Sequence, residues 1–224
     1  MGSNRYAADR KVIDLRSAAH LRLAAMELIQ QVPELSAYLA ADEAIDHEHP
    51  LVRETVAELR GDSADAYAYA AAAYAFVRDT IVHSADSGDP RVTWRASDVL
   101  ATRNGICHSK SHALAALLRA AGIPAALCYQ GLRDDDGEPG PVHGLIAVRL
   151  PGRGRWDRQD PRGNKPGVDA RFSLDEERLA WPVHPEAGDV DHPLLYAAPH
   201  PAVLRALRST EDRRQLWRTL PTAL

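Results

Sequence analysis

The chain has 224 residues, 45% of them hydrophobic, and a formal net charge of −4 from 27 basic and 31 acidic side chains. That is enough apolar material for a core of its own, and it excludes a disordered chain. The near-balanced charge, without a Lys/Arg block, argues against a general nucleic-acid binder, which needs cations to neutralise phosphates. The longest small and apolar run, 66–77, is too short to span a bilayer and carries three tyrosines, so no membrane partner is expected. Two cysteines, Cys107 and Cys128, do not make a disulfide framework. Met1-Gly2-Ser3-Asn4 runs into charged residues rather than an apolar secretory core. A reducing, cytoplasmic setting is therefore the expectation.

In chain order, Leu15, Ala18, Leu23, Met26 and Ile29 recur at helical spacing until Pro33 closes the segment. Further helices are expected over 36–45 and 51–59, joined by the polar string 46–50. A longer one runs over 63–81 with Ser63 as its cap. Residues 83–90 read as a loop. Arg91-Val92-Thr93-Trp94 reads as extended, and Ser97 caps a short helical turn. Asn104-Gly105 punctuates the chain before an Ala/Leu-rich helix over 106–121, which leaves through Gly122 and Pro124. Strands are expected over 125–130, 142–150 and 155–160. They are separated by the acidic loop 133–141, with Asp134, Asp135 and Asp136, and by the turn 151–154. Residues 169–181 are expected to begin as a strand and end as a short helix, and the tail adds helices over 201–207 and 211–220. This divides the chain into a mainly helical region, 1–90, which can be integral to the same domain, and 91–224, holding the core and a helical tail.

Cys107 stands at the start of the 106–121 helix, where free amides and the helix dipole favour thiolate over thiol. Alone, a cysteine there is more often a small core residue. Its partners change that reading. His143 opens one strand and Asp160 closes the next. If the 151–154 turn pairs Leu150 with Arg155, then Leu145 stands opposite Asp160. His143 is then two residues along on the same face, within side-chain reach. Cys107 would attack a carbonyl, His143 would manage the proton and Asp160 would orient the histidine. The Cys107 amide is a candidate oxyanion donor, and a second donor is needed that no residue pattern identifies. His108 is expected behind the site or at the surface.

The stretch Ser97-Asp98-Val99-Leu100-Ala101-Thr102-Arg103-Asn104-Gly105-Ile106-Cys107 resembles the active-site entry of the transglutaminase-like superfamily of papain-like cysteine enzymes. Its continuation from Ser111 to Ala125, with the Gly122-Ile123-Pro124 exit, adds to the likeness. The family's histidine begins a later strand and its aspartate follows a Trp-containing strand. Those positions match His143 and Asp160, with Trp156 ahead of the aspartate. The resemblance covers roughly 93–161. It implies an α+β, papain-like core, with the cysteine helix packed on an antiparallel sheet, and thiol acyl chemistry at Cys107, His143 and Asp160. One departure is Gly144-Leu145-Ile146, where the family often has an aromatic soon after its histidine.

The implied activity is acyl transfer or amide and peptide hydrolysis through a thioester intermediate. The substrates would be a peptide, a protein side chain or a small-molecule amide or thioester, with an amine as one acceptor. No cofactor and no metal are expected. The alternative is a catalytically inactive interaction module on the same fold. A metal hydrolase built on His108 and His112 is disfavoured, since no Glu lies between them in an HExxH pattern. Trp94, Trp156 and Trp181 read as core anchors before groove walls, and Arg149, Arg155 and Arg158 as solvent-facing strand residues.

Overall fold

The computed structural model describes residues 26–61, 63–134 and 136–224. Most of the helix expected from Leu15 lies outside them. Where its end was expected, Ile29–Gln30 is a short strand, β1, that runs parallel to a strand near the other end of the chain. The helix expected over 36–45 shrinks to a 3-10 turn, Leu35–Leu39. Asp42 explains the loss: its Oδ1 accepts the amides of both Ala44 and Ile45 at 2.7 Å, an alternative to helical bonding.

Helix α1 (Pro50–Gly61) starts on a proline, which costs nothing at a position whose N–H has no partner. Helix α2 (Ala66–Thr80) is capped by Asp65, whose Oδ1 takes the Ala68 amide at 2.8 Å, two residues past the expected Ser63 cap. Its buried stripe is Tyr69, Ala70, Ala73, Tyr74 and Val77. The region read as a loop from residue 83 is more ordered than expected. Val82–His83 is strand β2, followed by a single helical turn, α3 (Ser84–Ser87). Helix α4 (Ala96–Thr102) begins one residue before Ser97, which binds Asp46 instead of capping. Strand β3 (Asn104–Gly105) pairs in parallel with β2, setting His83 beside Gly105.

Helix α5 (Cys107–Ala120) follows at once, and every residue from Cys107 to Arg119 is buried. Its alanines let α1, α2 and α4 pack closely around it, and its leucines fill the space between. The sheet behind it has the order β6–β5–β4–β7, all antiparallel: β4 (Ala125–Gly131), β5 (His143–Val148), β6 (Asp157–Gln159) and β7 (Val190–Asp191). Strand alternation divides its side chains. Ala125, Leu127, Tyr129, Ile146 and Val148 join the helical core. Ala126, Cys128, Leu145 and Ala147 join Tyr38 and Leu195 in a second cluster, with Trp156 packed against it.

The last elements are β8 (Leu194–Leu195), the partner of β1, then α6 (Pro201–Arg208) and α7 (Arg213–Thr219), close to the expected tail helices. Residues 169–181, expected as strand then helix, form neither and run as irregular chain with bends. The architecture is α+β. No described helix is long and apolar enough to cross a membrane.

The ladder between β5 and β6 pairs Ile146 with Gln159, Ala147 with Arg158 and Val148 with Asp157. Carried one step further it sets Leu145 opposite Asp160, the register expected from the turn. Arg158 is not solvent-facing as expected. It is buried and pairs with Asp191 on β7 and with Glu177 from the 169–181 segment. A guanidinium there is tolerated because its fork is fully matched by carboxylates.

Candidate active site

The chain reaches Cys107 through a tight entry. Ser109 Oγ accepts the Ile106 amide at 3.0 Å and donates back to the Ile106 carbonyl at 3.2 Å. A Cβ at position 105 would meet that Oγ at 2.6 Å, so the close approach requires Gly105. Cys107 is then the first residue of α5, 9% exposed, with its sulfur at the positive end of the helix.

His143 and Asp160 come to the same point. His143 Nε2 lies 2.8 Å from Asp160 Oδ2, with the ring 4% exposed and the carboxylate fully buried. His143 and Cys107 lie close enough to act on one another's charge, the imidazolium favouring the thiolate and the thiolate the imidazolium. Asp160 is held on all sides. Its Oδ2 also accepts the Ala180 amide at 3.0 Å, its Oδ1 accepts the Arg162 amide at 3.0 Å, and its carbonyl accepts Tyr74 OH at 2.8 Å. The three residues singled out from sequence are thus in one contiguous chain, sulfur to imidazole to carboxylate.

The charges follow from that chain. Burial alone would raise the Cys107 thiol, but the His143 charge, its hydrogen bond and the Gly144 amide outweigh burial and bring it below the usual thiol range. Burial alone would lower His143, but Asp160 and Cys107 raise it to about 10. Burial would likewise raise Asp160, and His143 with two amides holds it down. The balance favours a thiolate–imidazolium pair that Asp160 anchors. Cys128 is the contrast: burial pushes its thiol up to about 12, with no imidazole to offset it.

Gly144 explains the missing aromatic. A Cβ there would run into the His108 imidazole, so β5 lies against α5 only with glycine at this position. Ser111 Oγ fastens the contact, donating to the Gly144 carbonyl at 3.2 Å. His108 is therefore behind the site, buried, with its ring 6.0 Å from that of Tyr129. His112 is also buried and its Nδ1 lies 2.8 Å from the Trp94 carbonyl. Among the described residues, no three His, Cys, Asp or Glu side chains converge as a metal-binding group.

Sequence reading missed three residues at the site. His83 Nε2 lies 3.2 Å from the Cys107 amide nitrogen. Lys110 is fully buried, and its Nζ donates to the carbonyls of Arg78 (3.2 Å) and Ile81, tying the end of α2 and the start of β2 to α5. Arg162 pairs with Asp86 through both of its terminal nitrogens. His83 and Asp86 sit in a polar string that reads as loop, and only the long-range β2–β3 pairing brings them here.

A cleft of about 340 Å³ opens over the sulfur. His83, Cys107 and His143 form part of its floor, and Val142, Trp181, Trp217 and Leu220 give it apolar walls. Trp181 stands edge-on to His143, with ring centroids 4.8 Å apart at 86°. It is a groove wall as well as a packing residue. Trp156 packs on Tyr38 at 5.1 Å, and Trp94 lies under the guanidinium of Arg95 at 4.4 Å, both away from the cleft. Asp134 reaches the rim; Asp135 lies outside the described residues.

Residues 53–161 match the transglutaminase-like superfamily. No curated protein matches the chain significantly. Among solved structures, a candidate cysteine protease from Cytophaga hutchinsonii is similar at 18% identity over 61% of this chain and 46% of its own, with a TM-score of 0.48. The periplasmic domain of TgpA from Pseudomonas aeruginosa is similar at 29% identity over 55% of this chain and 46% of its own, TM-score 0.41. A TGase is similar at 19% identity over 59% and 35%, TM-score 0.37. The chain spans less than half the length of each of these structures.

Proposed function

Residues 53–161 belong to the transglutaminase-like superfamily, and from that premise we propose that the chain is a cysteine enzyme that forms a covalent thioester with its acyl donor. The observation that carries this reading is the unbroken contact chain from Cys107 through His143 to Asp160. An inactive interaction module would have no need to hold a buried thiol, imidazole and carboxylate in that order.

In the proposed reaction the Cys107 thiolate attacks a carbonyl carbon. A C–S bond forms and the carbonyl electron pair moves onto oxygen. When the tetrahedral adduct collapses, the bond to the leaving group breaks, and His143 gives its proton to the departing amine or thiol. Water or an amine then attacks the thioester, His143 takes its proton, and the thiolate leaves. Asp160 keeps the imidazole oriented through both halves. The acyl donor is a peptide, a protein side chain or a small-molecule amide or thioester. The apolar walls of Val142, Trp181, Trp217 and Leu220 favour an uncharged group next to the reacting carbonyl.

The test is turnover of peptide amides and thioesters with and without an added primary amine. The reading expects product release that depends on Cys107 and is lost in Cys107→Ala. The ratio of acyl-amine to free acid then separates transfer from hydrolysis. Equal turnover by wild type and Cys107→Ala would refute it.

A further inference from the structure

His83 stands where a bound carbonyl oxygen has to go. Its Nε2 is 3.2 Å from the Cys107 amide nitrogen, with that N–H directed at it. Its Nδ1 is 3.3 Å from the amide nitrogen of Ala85, the cap contact of α3. Both ring nitrogens therefore face backbone N–H groups. An imidazole cannot satisfy both, because the neutral ring has one lone pair and one N–H, and the charged ring has two N–H groups. His83 is 6% exposed and forms part of the cleft beside the sulfur.

With Nδ1 accepting from the N–H of Ala85, two residues away on the same turn, the cap of α3 is kept. The proton then stands on Nε2, facing the Cys107 N–H. Two donors pointed at each other leave a place that only an acceptor with more than one lone pair relieves. The ring's surroundings keep it neutral. Burial comes first, and the charges of Arg162, Lys110 and His143 add to it, against Asp86 alone.

We infer that His83 is the second oxyanion donor of the site. Its Nε2–H and the Cys107 N–H close on the oxygen of the tetrahedral adduct once a small rotation of the ring admits it. The inference rests on the acyl-enzyme reading above. The oxygen gains negative charge as the C–S bond forms, and both donors strengthen as it does, which is where a fixed donor accelerates the reaction. Neither donor loses its proton. The β2–β3 pairing holds the backbone of His83 beside Gly105, so a small rotation of the ring is the only movement required.

Two substitutions separate the role from simple packing. His83→Asn keeps an acceptor at the Nδ1 position for the Ala85 cap but has nothing at the Nε2 position. His83→Gln reaches the Nε2 position with an amide N–H. For each variant, single-turnover acylation of Cys107 by p-nitrophenyl acetate is compared with alkylation by iodoacetamide, a reaction that makes no oxyanion. His83→Asn is expected to slow acylation by about 10²–10³-fold and to leave alkylation at the wild-type rate. His83→Gln is expected to recover most of the acylation. Unchanged acylation in His83→Asn overturns the inference. So does a parallel loss of acylation and alkylation in both variants. Wild-type protein that is alkylated but never acylated removes the acyl-enzyme reading and this inference together, an outcome distinct from the other two.

Discussion

The Cβ that Gly144 lacks would fall on the imidazole of His108. The contact holds strand β5 against helix α5 one residue from His143 and one residue from Cys107, so it sets the spacing of the two reacting side chains. Gly144→Ala is expected to destabilise the fold by about 1–3 kcal/mol through overpacking. Adding His108→Ala removes the obstacle, so the double variant should be more stable than the sum of the single effects allows, by at least about 0.5 kcal/mol. Chemical denaturation of the four proteins measures this. Additive effects would mean that the two residues do not press on one another.

Asp160→Asn keeps an oxygen for one backbone amide but turns an NH2 or a neutral oxygen toward His143. The fold should persist, read as unchanged near-UV circular dichroism. Acylation should fall by up to about 10⁴-fold, as expected when an orienting carboxylate is neutralised. Wild-type acylation in this variant would show that His143 needs no anionic partner.

The pH dependence of Cys107 alkylation has a definite sign. A free thiol ionises near pH 8.5, and its alkylation rises through that value. Here His143 holds the thiol below its usual range against burial, so the rise should be complete at lower pH. The ionisation is shared by the Cys107–His143 pair, and one macroscopic midpoint is read. In His143→Ala the opposing charge is gone and burial dominates, so the midpoint should move upward past that of a free thiol. A profile that is the same in both proteins would contradict the ion pair.

Acid stability gives a fourth prediction. Burial first, then the charges of His112 and His143, push His108 down from 6.5 to about 3. Between those values the unfolded chain binds a proton at this residue that the folded chain does not. Stability therefore falls as pH drops through 6.5 toward 3, and is fully restored above 6.5. Each such imidazole contributes a slope of up to about 1.4 kcal/mol per pH unit. His83 and His112 are shifted the same way, so His108→Phe should flatten the dependence without abolishing it. An unchanged slope in urea titrations across that window would place His108 in contact with water.

Long, strongly patterned segments were legible in the sequence. Helix α5 carries an Ala/Leu-rich stretch that leaves through Gly122 and Pro124, and strands β4 and β5 are largely apolar. The turn at 151–154 is short enough to set one register, which brings His143 and Asp160 within reach. What was not legible depends on contacts between distant short segments. Strands β1, β2, β3 and β8 have two residues each and exist through their parallel partners. His83 reads as the start of a loop until β3 lies beside it. Arg158 reads as a surface residue because Glu177 and Asp191 lie 19 and 33 positions away. Asp42, one residue in a helical-looking stretch, redirects the chain through two amide bonds.

The most direct test of the acyl-enzyme account is intact-mass spectrometry of the protein quenched during reaction with an activated acyl donor, with peptide mapping of the adduct. The account predicts one added acyl group, mapped to Cys107, slow to form in His143→Ala and absent in Cys107→Ala. An adduct of equal yield in Cys107→Ala, or one mapped to Cys128, would contradict it.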